Sequence, residues 1–519
     1  MPTRWWYFEK KAATRRERVA GNEEKVVNTF HRETADNKSA GARDCARARV
    51  AVWVRHLEVS HRKESLACRF TECCRETIRI HLKLNISVCT ASLFTSFLFF
   101  LPVRINSWMV MEDLTNVDRN RKYISDGLQA VKMTFVQDIN EMNTAPRYSP
   151  DMVYQHFGEE ETIYGYADLE VTIHHSAQTL YSYINICYSS KAKNDNGLEA
   201  DDIEDKLVHI DVRPNVLVTE KGAFNQKLIS QKNFQPYGEM VHKFQSKGKN
   251  FEVYRVTEQS EDFNLFLERI QTLGMFFIEC CSLTDNTEEN WLHYFIYERC
   301  DTGEGDGSTI AKVAGFATLY KFYNYFEKVR PRIAQMLLLP QYRKSGIGAQ
   351  FMESFLRDLR ATPEVFDVTV ESPGDQFTFL RDYVDCINCM NLPEFSSENL
   401  KNGFSDKMRM AALDKLKISK AQSRRVYEIL RFRQTNKKDK EDLKAQRIDV
   451  KRRLYAPMKR SERDWKRLNL ALTQEELRQA ACGEMDEETK FSTLTQMYDR
   501  LMESYQKTID RIEAHPKIF

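Results

Sequence analysis

Two kinds of residue in this chain could do chemistry: a basic loop with two glycines, and a few carboxylates set against apolar sequence. The loop is Arg343-Lys344-Ser345-Gly346-Ile347-Gly348-Ala349. An apolar run from Ile333 to Leu339 leads into it and ends at Pro340. After it, residues 350–360 place Phe351, Met352, Phe355, Leu356 and Leu359 on one helical face. The order is therefore strand, glycine loop, helix. Glycines let backbone N–H groups turn inward, and a helix N-terminus adds partial positive charge, so the loop suits a phosphate ester. The same glycines also fit a plain tight turn. No Gly-Lys-Ser/Thr closes a P-loop here, and the third glycine of a dinucleotide fingerprint is missing.

Glu279 comes after Phe276-Phe277-Ile278, which predicts a low-dielectric setting. Burial raises a carboxylate pKa and makes it a better proton acceptor. The alternative is a surface carboxylate that ends a helix. Glu371 closes the strand reading 365–371, where a carboxylate by itself reads as keeping a strand end soluble. Glu159, Glu160 and Glu161 are adjacent and would attract a lysine-rich peptide, or form a solvated turn. A second acidic cluster, Glu199, Asp201, Asp202, Glu204 and Asp205, carries the same two readings. Cys280 and Cys281 neighbour Glu279, but no histidine is placed by sequence to activate them.

Several elements must hold these residues in place. Residues 121–151 give a strand, a short helix and a loop, and 166–188 alternate as two strands, with Asn194, Asn196 and Gly197 at the exit. Residues 234–237 and 244–256 are expected to edge this N-terminal sheet. Phe263, Phe266, Leu267, Ile270 and Leu273 repeat at helical spacing. An aromatic strand from Trp291 to Glu298 and its partner from Val313 to Tyr325 flank a loop carrying Gly303, Gly305 and Gly307. Beyond Phe395 the chain becomes helical and charged. Residues 437–453 are strongly basic but broken by acids, which fits an exposed helix with i,i+4 pairs or a contact for an acidic partner. Residues 473–513 read as a long amphipathic helix or a helix pair.

The formal net charge is +2, so there is no global signal for nucleic acid. The twelve cysteines form no paired C-x-x-C array, only Cys386 with Cys389, which points to reduced thiols rather than a metal site. Residues 1–110 differ from the rest, being basic, cysteine-dense and without clear periodicity. Their apolar run at 86–103 lies at the lower length limit for a membrane span and is weakened by serines and threonines. It reads as an anchor, as a sticky disordered extension, or as sequence joined upstream of a natural start at Met109 or Met111; the last is favoured.

Arg343, Gly346 and Gly348 meet the Q/R-x-x-G-x-G/A signature of GNAT-type N-acetyltransferases. With the flanking Arg330-Pro331-Arg332-Ile333-Ala334-Gln335-Met336 and Gly348-Ala349-Gln350, the chain resembles the type B histone acetyltransferase catalytic subunits from about Arg121 to about Leu470. The resemblance implies an α+β GNAT fold: a mixed, mostly antiparallel central sheet flanked by helices. It implies a histone-binding α/β domain at 111–258, an acetyltransferase domain at 259–395 and a helical domain at 396–519. It implies acetyl-CoA as co-substrate and no metal. Met336, Leu337 and Leu338 would offer backbone groups to the pantetheine arm, and Arg343, Lys344, Ser345, Gly346, Ile347, Gly348 and Ala349 would hold the pyrophosphate. Glu371 matches the family's general base, with Glu279 a second candidate, and attack is direct in a ternary complex. Glu159, Glu160, Glu161, Trp291, Tyr323, Asn324 and Tyr325 would contact the N-terminal tail of newly made histone H4. Expected partners are H3–H4 and a WD-repeat histone-binding chaperone, in nucleus and cytoplasm. Two positions depart from the family: Ser372 stands where an acidic residue is common, and Gln376 where a small hydroxyl residue contacts CoA.

Overall fold

The computed structural model describes residues 121–192, 199–208, 212–285, 287–301, 308–471 and 486–518. The apolar run 86–103, the glycines at 303, 305 and 307, and the turn residues 194–197 lie outside them. The described residues fall into two compact units. One takes in 121–452 and 495–518, the other 453–471 and 486–494.

The larger unit opens with short strands. These are β1 (Ile124–Asp126), β2 (Val131–Val136), β3 (Thr162–Tyr164), β4 (Tyr166–Ala167), β5 (Glu170–Ser176), β6 (Ser182–Cys187) and β7 (Ser190–Lys191). β2, β5 and β6 form a three-stranded sheet, with β2 parallel and β6 antiparallel to the central β5. The main sheet comes next. It comprises β8 (Glu239–Ser246), β9 (Lys249–Val256), β10 (Trp291–Asp301), β11 (Thr309–Asn324), β12 (Lys328–Leu338) and β13 (Thr369–Val370), ordered β13-β12-β11-β10-β9-β8. Only the β12–β13 pair is parallel. The hairpin β8–β9, expected to edge the N-terminal sheet, instead pairs with β10 from His293↔Val256 to Arg299↔Asn250. The reason is apolar: Phe251 and Val253 have a buried face to complete, and β10 offers Tyr294 to Tyr297, all fully buried.

Helices cover the sheet. α1 (Glu261–Gly274) starts at a Ser260 side-chain cap and buries Phe263, Phe266, Leu267, Ile270 and Leu273. α2 (Ile347–Ala361) buries Phe351, Met352, Phe355, Leu356 and Leu359, the five positions on its apolar stripe. Truncating any one to alanine would cost about 2–5 kcal/mol. Next along the chain are α3 (Asp375–Met390), α4 (Asp406–Leu416) and α5 (Lys420–Gln434). Cys386 and Cys389 are buried in α3, where burial pushes both thiols well up. Of the two long helices, α6 (Lys440–Ala471) begins and α7 (Glu487–Ala514) ends in the larger unit, where Gln446 on α6 accepts from the Tyr498 hydroxyl on α7. The smaller unit holds the remaining described parts of both helices, including Pro457. No helix among the described residues is long and apolar enough to cross a membrane.

Candidate active site

β12 sets the geometry. Its inward positions, Ile333, Gln335 and Leu337, alternate with half-buried neighbours. It pairs with β11 along its length, but the register slips between Thr318 and Leu319, leaving Ala334 as an extra residue. Such a bulge bends a strand and re-aims the residues beyond it. On its other side β12 pairs with β13 at Arg332 and Ile333 alone. The Glu371 N–H then donates to the Ile333 carbonyl (3.0 Å), and Ser372, at φ +34°, turns the chain away. The sheet therefore forks, with Glu371 at the crotch.

Strand hydrogen bonding alternates in direction. The Leu339 N–H donates to Ala314 (2.9 Å), so Leu337 bonds toward β11, while the main-chain groups of Met336 and Leu338 face the fork. This corrects one expectation: Leu337 spends its backbone on β11 and has none to offer a ligand. The close approach of the strands requires Gly315, since a Cβ there would meet the Leu337 carbonyl at 2.2 Å.

At the far end of the fork lies the glycine loop. Gly346 caps α2 in the left-handed region (φ +86°), and Lys344 before it is also at positive φ. Ser345 donates its hydroxyl to the Tyr342 carbonyl (2.6 Å), which tightens the turn. Among the described residues, no group accepts from the N–H of Lys344, Ser345, Gly346, Ile347 or Gly348; the next, Ala349, bonds back to Gly346 (3.1 Å). Five successive free donors at a helix N-terminus make an anion cradle. Gly348 is tightly packed: a Cβ would lie 3.3 Å from Leu338 Cδ1 and face Leu380, so those side chains would have to give way slightly.

Arg343 does not point into the cradle. Its Nε donates to the Leu338 carbonyl (3.0 Å), its Nη1 to Asp151 (2.8 Å), and its guanidinium sits over the Phe277 ring at 4.6 Å.

Glu279 departs from expectation. α1 ends at Gly274, Phe276 and Phe277 turn inward, and Glu279 is left exposed. The apolar residues before it pack elsewhere, so the burial argument for its basicity fails. Its segment is nevertheless well fixed. The Tyr154 hydroxyl accepts from Cys280 N–H (2.8 Å), and Gln155 bonds both main-chain groups of Cys281. Burial and the thiol of Cys280 push the Tyr154 phenol up to about 12, with the Glu279 charge adding to it. Buried Gln335 on β12 donates to the Ser282 carbonyl (2.7 Å). Both carboxylate-bearing segments are thus tied to the stretch from Ile333 to Gln335. The Cys281 thiol is pushed up to about 12 by burial, which keeps it from acting as a thiolate.

The three adjacent glutamates divide. Glu161 accepts from the N–H groups of Val153 (2.6 Å) and Tyr154 (3.0 Å), so it caps the one-turn helix Tyr154–Phe157 instead of facing a peptide. Glu159 and Glu160 are exposed and make no ion pair among the described residues. The aromatic candidates also divide. Tyr323 and Tyr325 stand 78% and 71% exposed at the β11–β12 hairpin tip beside half-buried Asn324. Trp291 lies at the start of β10 and packs edge-on against Tyr320 (4.9 Å). Tyr320, which links Trp291 to Phe322 at 4.7 Å, was missed by sequence reasoning. The hairpin register, which pairs Trp291 with Tyr320, is the signal that finds it.

Comparison with known proteins identifies the family. The family model for the histone acetyl transferase HAT1 N-terminus matches residues 123–279. The model for the C-terminal region of the histone acetyltransferase type B catalytic subunit matches 381–432. The first includes Glu159–Glu161 and Glu279; neither match includes the glycine loop or Glu371. The histone acetyltransferase type B catalytic subunits of Mus musculus and Homo sapiens are each 34% identical over 386 residues, 73% of this chain and 91% and 90% of theirs. That of Schizosaccharomyces pombe is 26% identical over 340 residues, 64% of this chain and 84% of its own. With this identity spread over nearly the whole length of the mammalian proteins, the chain belongs to the family of histone acetyltransferase type B catalytic subunits.

Proposed function

We propose that this protein transfers an acetyl group from acetyl-CoA to lysine ε-amines in the N-terminal tail of newly synthesised histone H4. The observation that carries the proposal is the fork. Its backbone at Met336 and Leu338, turned away from β11, runs from the crotch at Glu371 to the five free N–H groups of the glycine loop. The five residue steps from Ile333 to Leu338 span roughly 16 Å of strand, a length that suits a pantetheine arm between thioester and diphosphate. In this reading the loop residues Lys344 to Gly348 hold the diphosphate, and Met336 and Leu338 pair with the arm.

A lysine amine has a pKa of about 10.4 and must lose a proton before it can attack. Glu371, at the crotch, takes that proton. The free amine adds to the thioester carbonyl, whose oxygen takes up the negative charge within reach of the unpaired Met336 N–H. Collapse breaks the C–S bond, and the departing CoA sulfur takes up the second proton of the attacking nitrogen, leaving the amide and CoA thiol. No acyl-enzyme intervenes, and proximity in the ternary complex supplies much of the acceleration. Glu279, exposed on its fixed segment, is the secondary base. Glu159 and Glu160 attract the basic tail, and Trp291, Tyr323, Asn324 and Tyr325 line its path. We further propose H3–H4 and a WD-repeat histone-binding chaperone as partners, in cytoplasm and nucleus.

The test is a Glu371→Gln protein assayed with an H4 tail peptide and with spermidine. A base role predicts a fall in turnover of about 10²–10⁴ with acetyl-CoA binding intact. Unchanged turnover rejects Glu371, and equal rates on spermidine reject the H4 tail as the preferred acceptor.

A further inference from the structure

The glycine loop has a neighbour from the far end of the chain. Arg511 lies in the last turn of α7. One of its guanidinium nitrogens stands 4.0 Å from the position a Cβ of Gly346 would occupy. The guanidinium is half-buried and sits over the Tyr383 ring of α3 at 5.4 Å. Tyr383 in turn donates its hydroxyl to the carbonyls of His515 (2.8 Å) and Lys517 (3.3 Å). Gln350 on α2 donates to the Ile518 carbonyl (3.1 Å). The segment after α7 is therefore laid along α2 and α3 by three hydrogen bonds, which fixes the place of Arg511.

Two features make this arrangement more than packing. A cation in the last turn of a helix suits the helix dipole, but the dipole does not choose what the cation faces. Here one of its nitrogens lies beside Gly346, in the middle of five main-chain donors that find no acceptor among the described residues, and among those residues Arg511 makes no ion pair with a carboxylate. Positive charge is thus gathered at one place by the loop's N–H groups and by a guanidinium that has no ion-pair partner among the described residues. In addition, Arg343, the cation expected to serve the loop, is engaged by Asp151 and the Leu338 carbonyl. The loop's available guanidinium comes from α7.

We propose that Arg511 is a binding residue for the diphosphate of CoA, so that α7 completes the cofactor site from outside the acetyltransferase sheet. This rests on the acetyl-CoA reading above. A guanidinium matches phosphate oxygens in a planar fork, and here it packs over the Tyr383 ring. The diphosphate is the group addressed because Gly346 belongs to the loop that cradles it.

The experiment titrates the full chain calorimetrically with CoA and with 3′-dephospho-CoA, comparing wild type with Arg511→Met and Arg511→Lys. Expected is about a ten-fold weaker Kd for Arg511→Met on both ligands, a smaller loss for Arg511→Lys, and an unchanged thermal midpoint. In turnover, KM for acetyl-CoA rises while kcat at saturation holds. Wild-type affinity in Arg511→Met overturns the proposal, as does a loss seen with CoA and absent with dephospho-CoA, which would move the contact to the 3′-phosphate. If wild type itself ignores CoA, the acetyl-CoA reading fails first, and the two failures are told apart.

Discussion

The guanidinium of Arg343 donates through Nε to the carbonyl of Leu338 at 3.0 Å. Leu338 is the last residue of β12, and its carbonyl is an acceptor that the fork offers to an incoming amide. Arg343 therefore competes with the ligand for one acceptor, held there by Asp151 and Phe277.

Asp151→Asn should release this hold. The pair is partly exposed, so it is worth about 0–1 kcal/mol, and the expected change is a two- to five-fold tighter acetyl-CoA Kd, roughly. Calorimetry at low and high salt checks it: the gain should shrink as salt rises. A weaker Kd in Asp151→Asn would mean that the pair shapes the site rather than obstructing it.

Glycine substitutions should separate folding from binding. Gly315→Ala drives a Cβ to within 2.2 Å of the Leu337 carbonyl, a backbone atom that cannot move without parting β11 from β12. A stability loss of about 3 kcal/mol or more is expected in chemical denaturation. Gly346→Ala forces an L-residue into the left-handed region in open surroundings. That costs about 1–2 kcal/mol, with acetyl-CoA affinity falling as the loop relaxes.

Asp385 predicts a pH dependence. It is buried in α3, 3.4 Å from Arg381 Nε, a charge contact too long for a good hydrogen bond. Burial raises its pKa from 3.8 to about 6 even against the pull of Arg381 and Arg360. A folded-state pKa above the unfolded one means full stability below the unfolded value, lost as pH climbs through the folded one. Relative to Asp385→Asn, wild type should thus lose stability between about pH 4 and about pH 6. The gap above pH 7 should reach about 3 kcal/mol, for a shift of roughly two units. Paired urea melts at pH 4.5 and 8 measure it; a gap independent of pH rules the account out.

Tyr320 should report on the peptide path. It ties Trp291 to Phe322 and the hairpin, so Tyr320→Ala should raise KM for an H4 tail peptide roughly three- to ten-fold and leave acetyl-CoA binding alone. Tyr320→Phe keeps the ring and should behave as wild type. Equal KM values for all three proteins would remove the aromatic row from the substrate path.

The local features were legible in the sequence, and the non-local ones were not. The strand–loop–helix at 333–360 could be read because glycine spacing and a helical stripe are properties of adjacent residues. The two roles of its glycines, φ at Gly346 and packing at Gly348, needed coordinates. Glu279 misled because a run of apolar neighbours says nothing about which way the chain turns after α1 ends at Gly274. The β8–β9 hairpin was given to the wrong sheet because pairing partners are chosen by buried faces distant in sequence. Glu161 looks like its neighbours and differs only in having two N–H groups within reach. Arg511 was invisible, since nothing near it in sequence refers to Gly346.

The surroundings of the glycine loop are drawn from both directions along the polypeptide: Asp151 meets Arg343 across 192 positions, and Gln350 meets Ile518 across 168. A ribosome that has delivered α2 has therefore made the cradle without its outer wall. Contacts of such long span form late in folding. A nascent chain would hold its nucleotide weakly until α7 emerges, so acetylating competence should mature only once that helix has been made, and a protease that trims α7 would return the enzyme to that juvenile state.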